Sequence, residues 1–318
     1  MSKLYSIGEL LIDFQSVGTG SLAQTDQFMK KAGGAPANVC AQAAKFGVKT
    51  VYLTKVGDDG FGEFLIDSLR SIGVDASYVL KDKEHNTSLA FVSLKENGER
   101  EFTFYRKNAA DLELIPEDFK DVAFEKGDIL EFGSVALASE TSKKTHRFLI
   151  EKANKAEAII AFDPNLRFNL WDDPNELRST VLEFAQCADV MKVGKDELEF
   201  ITGQEGEAAV KRLFGGRLKV LLVTDGGHGA KLYANGQCFD CKGYKVKAVD
   251  TTGAGDSFFG AFLGLLLKHK IDREKLSDGS APYQEMLELS CKAGAYTTMN
   301  YGAIPSMGNL EEIERKVQ

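Results

Sequence analysis

One stretch of the chain combines residue types able to move a phosphoryl group: Val249-Asp250-Thr251-Thr252-Gly253-Ala254-Gly255-Asp256-Ser257-Phe258. Gly253, Ala254 and Gly255 let the backbone approach a ligand closely, and the apolar run over 257–267 predicts a buried helix directly after them. A helix start presents N–H groups without helical partners and the positive end of the helix dipole, both suited to an anion. Asp256 stands at the junction, where a carboxylate can accept the proton of an attacking hydroxyl. An anion cradle beside a base is the minimal equipment for phosphoryl transfer. Two other glycine-rich devices are excluded. A dinucleotide fingerprint needs a third glycine where Phe258 stands. A P-loop needs Gly-Lys-Ser/Thr after its glycines, and that sequence is absent there.

These residues need a scaffold, and the hydrophobic pattern supplies one. Residues 4–7, 50–54, 129–132, 158–162, 190–193 and 220–223 read as strands. Residues 36–46, 61–71, 143–155, 176–185, 196–202 and 205–213 read as helices between them. The alternation predicts an α/β fold, a mostly parallel sheet covered by helices on both faces. Ligands on such sheets lie beyond the carboxyl ends of the strands. The polar residues there are Asp163, Asn165, Arg167, Glu197, Thr224, Asp225 and Gly226.

One region breaks the alternation. Residues 88–94 and 101–106 read as two strands joined at Asn97-Gly98, a strong hairpin signal. Residues 11–17 and 27–30 are further strand candidates. We therefore expect a single domain over 1–318 with a small β-sheet lid built from segments 11–30 and 88–106. A thin sheet with apolar side chains on both faces needs cover. Substrate under one face and a second subunit on the other would provide it, which predicts a homodimer through the lid.

The 318 residues are 43% apolar, enough for a large core without disulfides. The net charge of −8 argues against nucleic acid or an anionic membrane as partner. No apolar run reaches the roughly 18 residues of a membrane span. Residues 1–5 enter a strand pattern with no signal-peptide pattern. Cys40, Cys187, Cys238, Cys241 and Cys291 form an odd, scattered set, which predicts a reducing cytoplasm. Cys238 and Cys241 make one C-x-x-C, but no second pair completes a zinc site. His85, His146, His228 and His269 lie far apart and are expected at the surface or in loops.

The core Asp250-Thr-Thr-Gly-Ala-Gly-Asp256 closely resembles the C-terminal signature of the ribokinase-like sugar kinases. Gly33-Gly34-Ala35-Pro36-Ala37-Asn38 and Lys55-Val56-Gly57-Asp58-Asp59-Gly60-Phe61-Gly62 resemble the N-terminal signature of that family. The likeness runs through almost the whole chain and implies a three-layer ribokinase-like sandwich. Segments 8–14, 31–38, 99–106 and 163–167 look specifically like the bacterial fructokinase branch. The resemblance then implies an ATP- and Mg²⁺-dependent kinase acting on a small sugar, with fructose expected. 2-Keto-3-deoxygluconate kinases and ribokinases would share nearly all these motifs, so the sugar stays open at this point. A silent sugar- or nucleotide-binding homologue is a further alternative, opposed by the intact Asp256, Gly253 and Gly255.

Roles follow residue by residue from that resemblance. Asp256 is the base, and the amides of Gly253, Ala254 and Gly255 form the anion hole. Arg167 stands near the transferred phosphoryl group, where a planar guanidinium suits phosphate oxygens. Asp13, Gly33, Gly34 and Asn38 hold the sugar, and Arg106 reaches it from the lid. Lys192, Thr224, Gly226 and Gly229 serve ATP. Glu197 acts on magnesium through water, although Gly194 stands where the family often has asparagine. Asp250, Thr252, Gly302 and Ser306 match a potassium site beside the anion hole.

Overall fold

The computed structural model describes residues 2–94, 100–214 and 216–318. In chain order the elements begin β1 (Lys3–Ile7), β2 (Leu11–Ser16), β3 (Phe28–Gly33), α1 (Ala35–Lys45), β4 (Lys49–Gly57), α2 (Gly60–Ser71) and β5 (Asp75–Asp82). The middle holds β6 (Leu89–Leu94), β7 (Arg100–Tyr105), β8 (Ile129–Gly133), α3 (Glu140–Lys155), β9 (Ile159–Asp163), α4 (Pro174–Ala185) and β10 (Val190–Gly194). The chain ends with α5 (Lys195–Thr202), α6 (Gly206–Leu213), β11 (Val220–Thr224), β12 (Gly229–Ala234), β13 (Gln237–Lys242), α7 (Ala254–Lys268), α8 (Tyr283–Thr297) and α9 (Leu310–Lys316).

The large sheet runs β13-β12-β11-β10-β9-β8-β1-β4-β5, parallel from β5 to β11 and antiparallel at β11-β12-β13. Alternate residues of each strand feed opposite cores, as a period of two requires. In β9, Ile159 and Ala161 face the core under α7 and α8, and Ile160 and Phe162 face the core of Leu149, Val181 and Ile201 from α3, α4 and α5. This is the expected three-layer α/β sandwich. Among the described residues no helix is long and apolar enough to cross a membrane.

The expected strands and helices are all present, with boundaries moved by a few residues. β5, β12, β13 and α8 were not anticipated. The turn between β12 and β13 is Asn235-Gly236, both at positive φ, so a hairpin signal was there to be read. The segments expected to form a lid make a second sheet, β3-β2-β6-β7. The turn expected at Asn97-Gly98 lies outside the described residues.

Two short links join the sheets at one place. β1 passes to β2 through Gly8, Glu9 and Leu10, and β3 passes to α1 through Gly34. Glu9 Oε1 accepts the Ala35 N–H at 2.9 Å and ties one link to the other. One face of the small sheet carries an aromatic cluster. Phe91 stacks on Phe14 at 5.0 Å and meets the edges of Phe28 and Tyr105, and Phe61 of α2 closes over Phe14.

Candidate active site

α7 positions the chemistry. It is apolar almost all round, buried from Asp256 to Leu267, and packs between α1 and α8. Its N-cap, Gly253, sits at φ +76°, and a Cβ there would lie 2.5 Å from the Ala303 Cβ. Only glycine fits this turn without strain. The helix starts at Ala254, so two of the three expected anion-hole residues belong to its first turn. The Ala254 N–H donates to Thr251 O at 3.3 Å. Gly253 and Gly255 line the first cavity, whereas Ala254 faces the second.

Asp256 is buried at the floor of the first cavity, a space of about 270 Å³. Asn38 Nδ2, from α1, donates to Asp256 Oδ2 at 2.8 Å. Burial pushes the Asp256 carboxyl above its ordinary range, opposed by Lys192, the Asn38 bond and Arg167. Asn38 Oδ1 and Glu9 Oε2 are buried without partners among the described residues. Both residues line the first cavity.

The small sheet roofs this cavity. Asp13 projects from β2 toward it, and Phe102 and Phe104 of β7 supply apolar wall. A Cβ on Gly33 would collide with the Asp13 carboxylate, so glycine there keeps the acid in place. Burial raises Asp13 to about 7 against the pull of Arg167, and raises Glu9 to about 7 against Arg106. Gly34 completes the wall. The arrangement suits a polyol: several acceptors, a short apolar wall and a carboxylate at the buried end.

Cations gather on the opposite side. Lys192 reaches from β10 to Asp163, with Nζ 2.9 Å from Oδ2. Burial opposes the Lys192 charge most strongly, but the carboxylates of Asp163, Glu197 and Asp256 together outweigh it and hold the ammonium protonated. Arg167 lines the cavity and donates to Leu166 O at 3.0 Å. Glu197 accepts backbone N–H groups from Leu166 and Gly194, each at 2.7 Å, and so clamps two loops together. Arg106 differs from expectation. Its Nε and Nη2 donate to Asp111 Oδ2 at 2.8 and 2.6 Å, and its Nη1 donates to Val135 O at 2.9 Å. All three guanidinium nitrogens take part in this buried strut, which holds the side chain in one place and leaves two of its five N–H donors unspent.

The second cavity, about 380 Å³, lies on the far side of the same turn. Thr224, Gly226 and Gly229 line it, as do Phe258 and Ala295, and it shares Thr251 and Gly255 with the first. Beside the turn, Asp250 Oδ1 accepts the Thr252 N–H at 2.8 Å and Oδ2 accepts the Gly302 N–H at 2.9 Å. Ser306 Oγ donates to Tyr301 O at 3.0 Å, so the four residues expected at a cation site do cluster. Two residues that sequence reasoning missed reach the same place from the small sheet. Lys31 Nζ donates to Gln15 Oε1 at 2.7 Å, and Gln15 Nε2 donates to Asp250 Oδ2 at 3.4 Å.

Glu9, Phe102 and Phe104 were also unassigned, although strand periodicity puts Phe102 and Phe104 on one face. The histidine expectation needs one correction: His146 is buried inside α3, where burial lowers it to about 4. Among the described residues no group of three or more His, Cys, Asp or Glu is arranged to hold a metal.

Comparison with known proteins gives a consistent picture. The model of the pfkB family carbohydrate kinases matches residues 1–309. Fructokinase-2 of Solanum lycopersicum is 40% identical over 313 residues, 97% of this chain and 94% of that protein. The structure of a fructokinase from Vibrio cholerae O395, with fructose, ADP and calcium ion bound, superposes with a TM-score of 0.89 at 31% identity, covering 100% of this chain and 99% of that one. The ATP-bound fructokinase from Xylella fastidiosa gives 0.88 at 30% identity, over 98% and 97%.

Proposed function

The chain belongs to the pfkB family of carbohydrate kinases, and from that premise we propose that it transfers the γ-phosphoryl group of ATP to the C6 hydroxyl of D-fructose, giving fructose 6-phosphate. One observation carries the reading: two cavities meet at the N-terminus of α7, with Asp256 at the floor of one. The sugar occupies the first cavity, its hydroxyls donating to Asp13 and to Asn38 Oδ1. The nucleotide occupies the second, with its phosphates directed to the shared Thr251 and Gly255.

Asp256 accepts the proton of the attacking hydroxyl, and Asn38 fixes which carboxylate oxygen faces it. The Gly253–Gly255 turn and the α7 dipole stabilise charge on the moving phosphoryl group. Arg167 and Lys192 balance that charge from the side. Closure of the small sheet over the sugar excludes water and so limits idle ATP hydrolysis.

A divalent ion, Mg²⁺ on this reading, neutralises phosphate charge when bound. Glu197 fits it as a water-mediated neighbour, because magnesium keeps several waters and both Glu197 oxygens already serve backbone amides. Asp250, Thr252, Gly302 and Ser306 offer oxygen donors for a potassium ion that would steady the turn. The scattered cysteines support a cytoplasmic setting, and the aromatic face of the small sheet supports a homodimer.

The test is a coupled ADP-release assay with Mg-ATP against fructose, ribose, 2-keto-3-deoxygluconate, glucose and adenosine. Strong turnover with fructose alone, lost in Asp256→Asn, is the expected result. Turnover with another sugar would overturn the substrate, and turnover retained by Asp256→Asn would overturn the base.

A further inference from the structure

A third cavity lies at the opposite end of α7 from Asp256. α7 spans 15 residues, so about 22 Å separates its two ends. The cavity holds about 470 Å³, more than either cavity of the site. Its walls come from the link between α1 and β4, the loop before β8, and the end of α7 with the loop that follows. These segments bring five lysines to it: Lys49, Lys126, Lys268, Lys270 and Lys275. Asp272 is the one acid among the lining residues, and its Oδ1 is turned to its own loop, accepting the Glu274 and Lys275 N–H groups at 3.2 and 3.1 Å. On a chain of net charge −8 this concentration of positive charge runs against the whole.

Part of that charge has a structural account. Cations suit helix C-termini, and α1 and α7 both end here. Lys268 Nζ donates to Phe46 O, just past α1, at 3.2 Å. Lys126 pairs with Glu157 at 3.3 Å and with Glu274 at 3.2 Å. Lys275 Nζ donates to Lys270 O at 3.0 Å. Lys49 and Lys270 differ: among the described residues neither ammonium has an ion pair or a hydrogen bond. Lys270 carries a second sign. It follows α7 at φ +55°, its N–H donating to Leu267 O at 3.1 Å and the Ile271 N–H donating to Leu266 O at 2.9 Å. A helix ending of this form normally takes glycine, and a side chain there is strained. A lysine in a glycine position, on the wall of a lysine-lined cavity, points to a use for its charge.

We propose that this third cavity binds a small phosphorylated molecule, its phosphate held by Lys49 and Lys270 and balanced by the other three ammonium groups. Ammonium groups on flexible stems bind phosphate as point charges, with no fixed fork to match. The cavity therefore selects for charge and size more than for shape. Its volume falls within the range of small-ligand pockets. A concave wall suits a free molecule rather than the flat face of a membrane. The site is separate from the chemistry, joined to it only through the length of α7.

The experiment titrates the full chain with inorganic pyrophosphate by calorimetry, with fructose and ADP in excess to fill the first two cavities. The buffer holds about 150 mM KCl, where charges are screened beyond about 8 Å and diffuse attraction is damped. One pyrophosphate should bind per chain, and the paired variant Lys49→Ala/Lys270→Gly should weaken it about tenfold. Lys270→Gly alone serves if the pair does not fold, because the backbone there favours glycine. Lys144→Ala, at an exposed position of α3 outside the cavity, should bind as the parent does. No binding, or binding unchanged in the paired variant, overturns the site. An equal loss in Lys144→Ala overturns it as well, since net charge alone would then explain the affinity. The source of the phosphate is read with vesicles of phosphatidylserine, which should leave the protein in solution when spun down. Sedimentation with the vesicles, lost in the paired variant, would overturn the small molecule in favour of a lipid surface.

Discussion

A carboxylate taken out of water resists ionisation, and Asp256 is held above its ordinary range by burial despite Lys192, Asn38 and Arg167. Turnover should therefore fall on the acid side as Asp256 gains a proton, and Asp256→Asn should lose about 10²–10⁴-fold in kcat while folding normally, the usual worth of a general base. Circular dichroism and steady-state kinetics check both halves. Asp13 carries a second consequence. It stands at about 7, and hydroxyl donors favour its ionised form. Sugar binding near neutral pH should release protons, read by calorimetry in two buffers of different ionisation enthalpy. Asp13→Asn should bind sugar weakly with no such release. The stability sign is fixed by the same shift. The folded-state value lies above the ordinary 3.8, so the folded protein holds this proton more tightly. The contribution of Asp13 is present at acid pH and lost as pH rises from about 4 to about 7. Glu9 adds to it with the same sign. Rising pH through that window should weaken the sugar-free protein by this term, and Asp13→Asn should flatten the slope.

At the level of elements, α7 was legible because its apolar run is long and follows glycines, although its start falls three residues earlier than expected. The two glycines were expected in a loop, yet only Gly253 takes a positive φ, so Ala254 and Gly255 can enter the helix. Gly253→Ala should cost about 1 kcal/mol or more in stability, from strain at positive φ, and should impair turnover more than sugar affinity. Chemical denaturation and a kcat-against-KM comparison separate the two. The small sheet was legible from alternation and β5 was not, because it is an edge strand with charged residues at both ends. Contacts between distant segments left no mark in the sequence. Asn38 meets Asp256 across 218 residues, and Arg106 reaches Val135 O across 29. Residue type and spacing named the chemistry of the site, and only packing assigned its partners.

For the whole molecule, the proposed closure and the proposed dimer both rest on the small sheet. α2 covers part of its aromatic face through Phe61, but Tyr105 stays 63% exposed. A second copy covering Tyr105 accounts for that exposure in the proposed dimer. Light scattering at micromolar concentration should give twice the chain mass, and Tyr105→Asp should shift it toward monomer. A parent protein of single mass would sink the dimer.

Two of the links that tether the small sheet are made of residues that also line the first cavity: Glu9 in one, Gly34 in the other, joined by the Ala35 N–H. With the sugar in that cavity, as proposed, recognition and hinge are one object. On the proposed closure, a sugar lacking a hydroxyl for Asp13 forfeits more than one hydrogen bond, because the roof also loses its reason to shut. Discrimination between similar sugars can then exceed what their contacts alone are worth, with the rigid sheet acting as a lever that multiplies a small chemical difference.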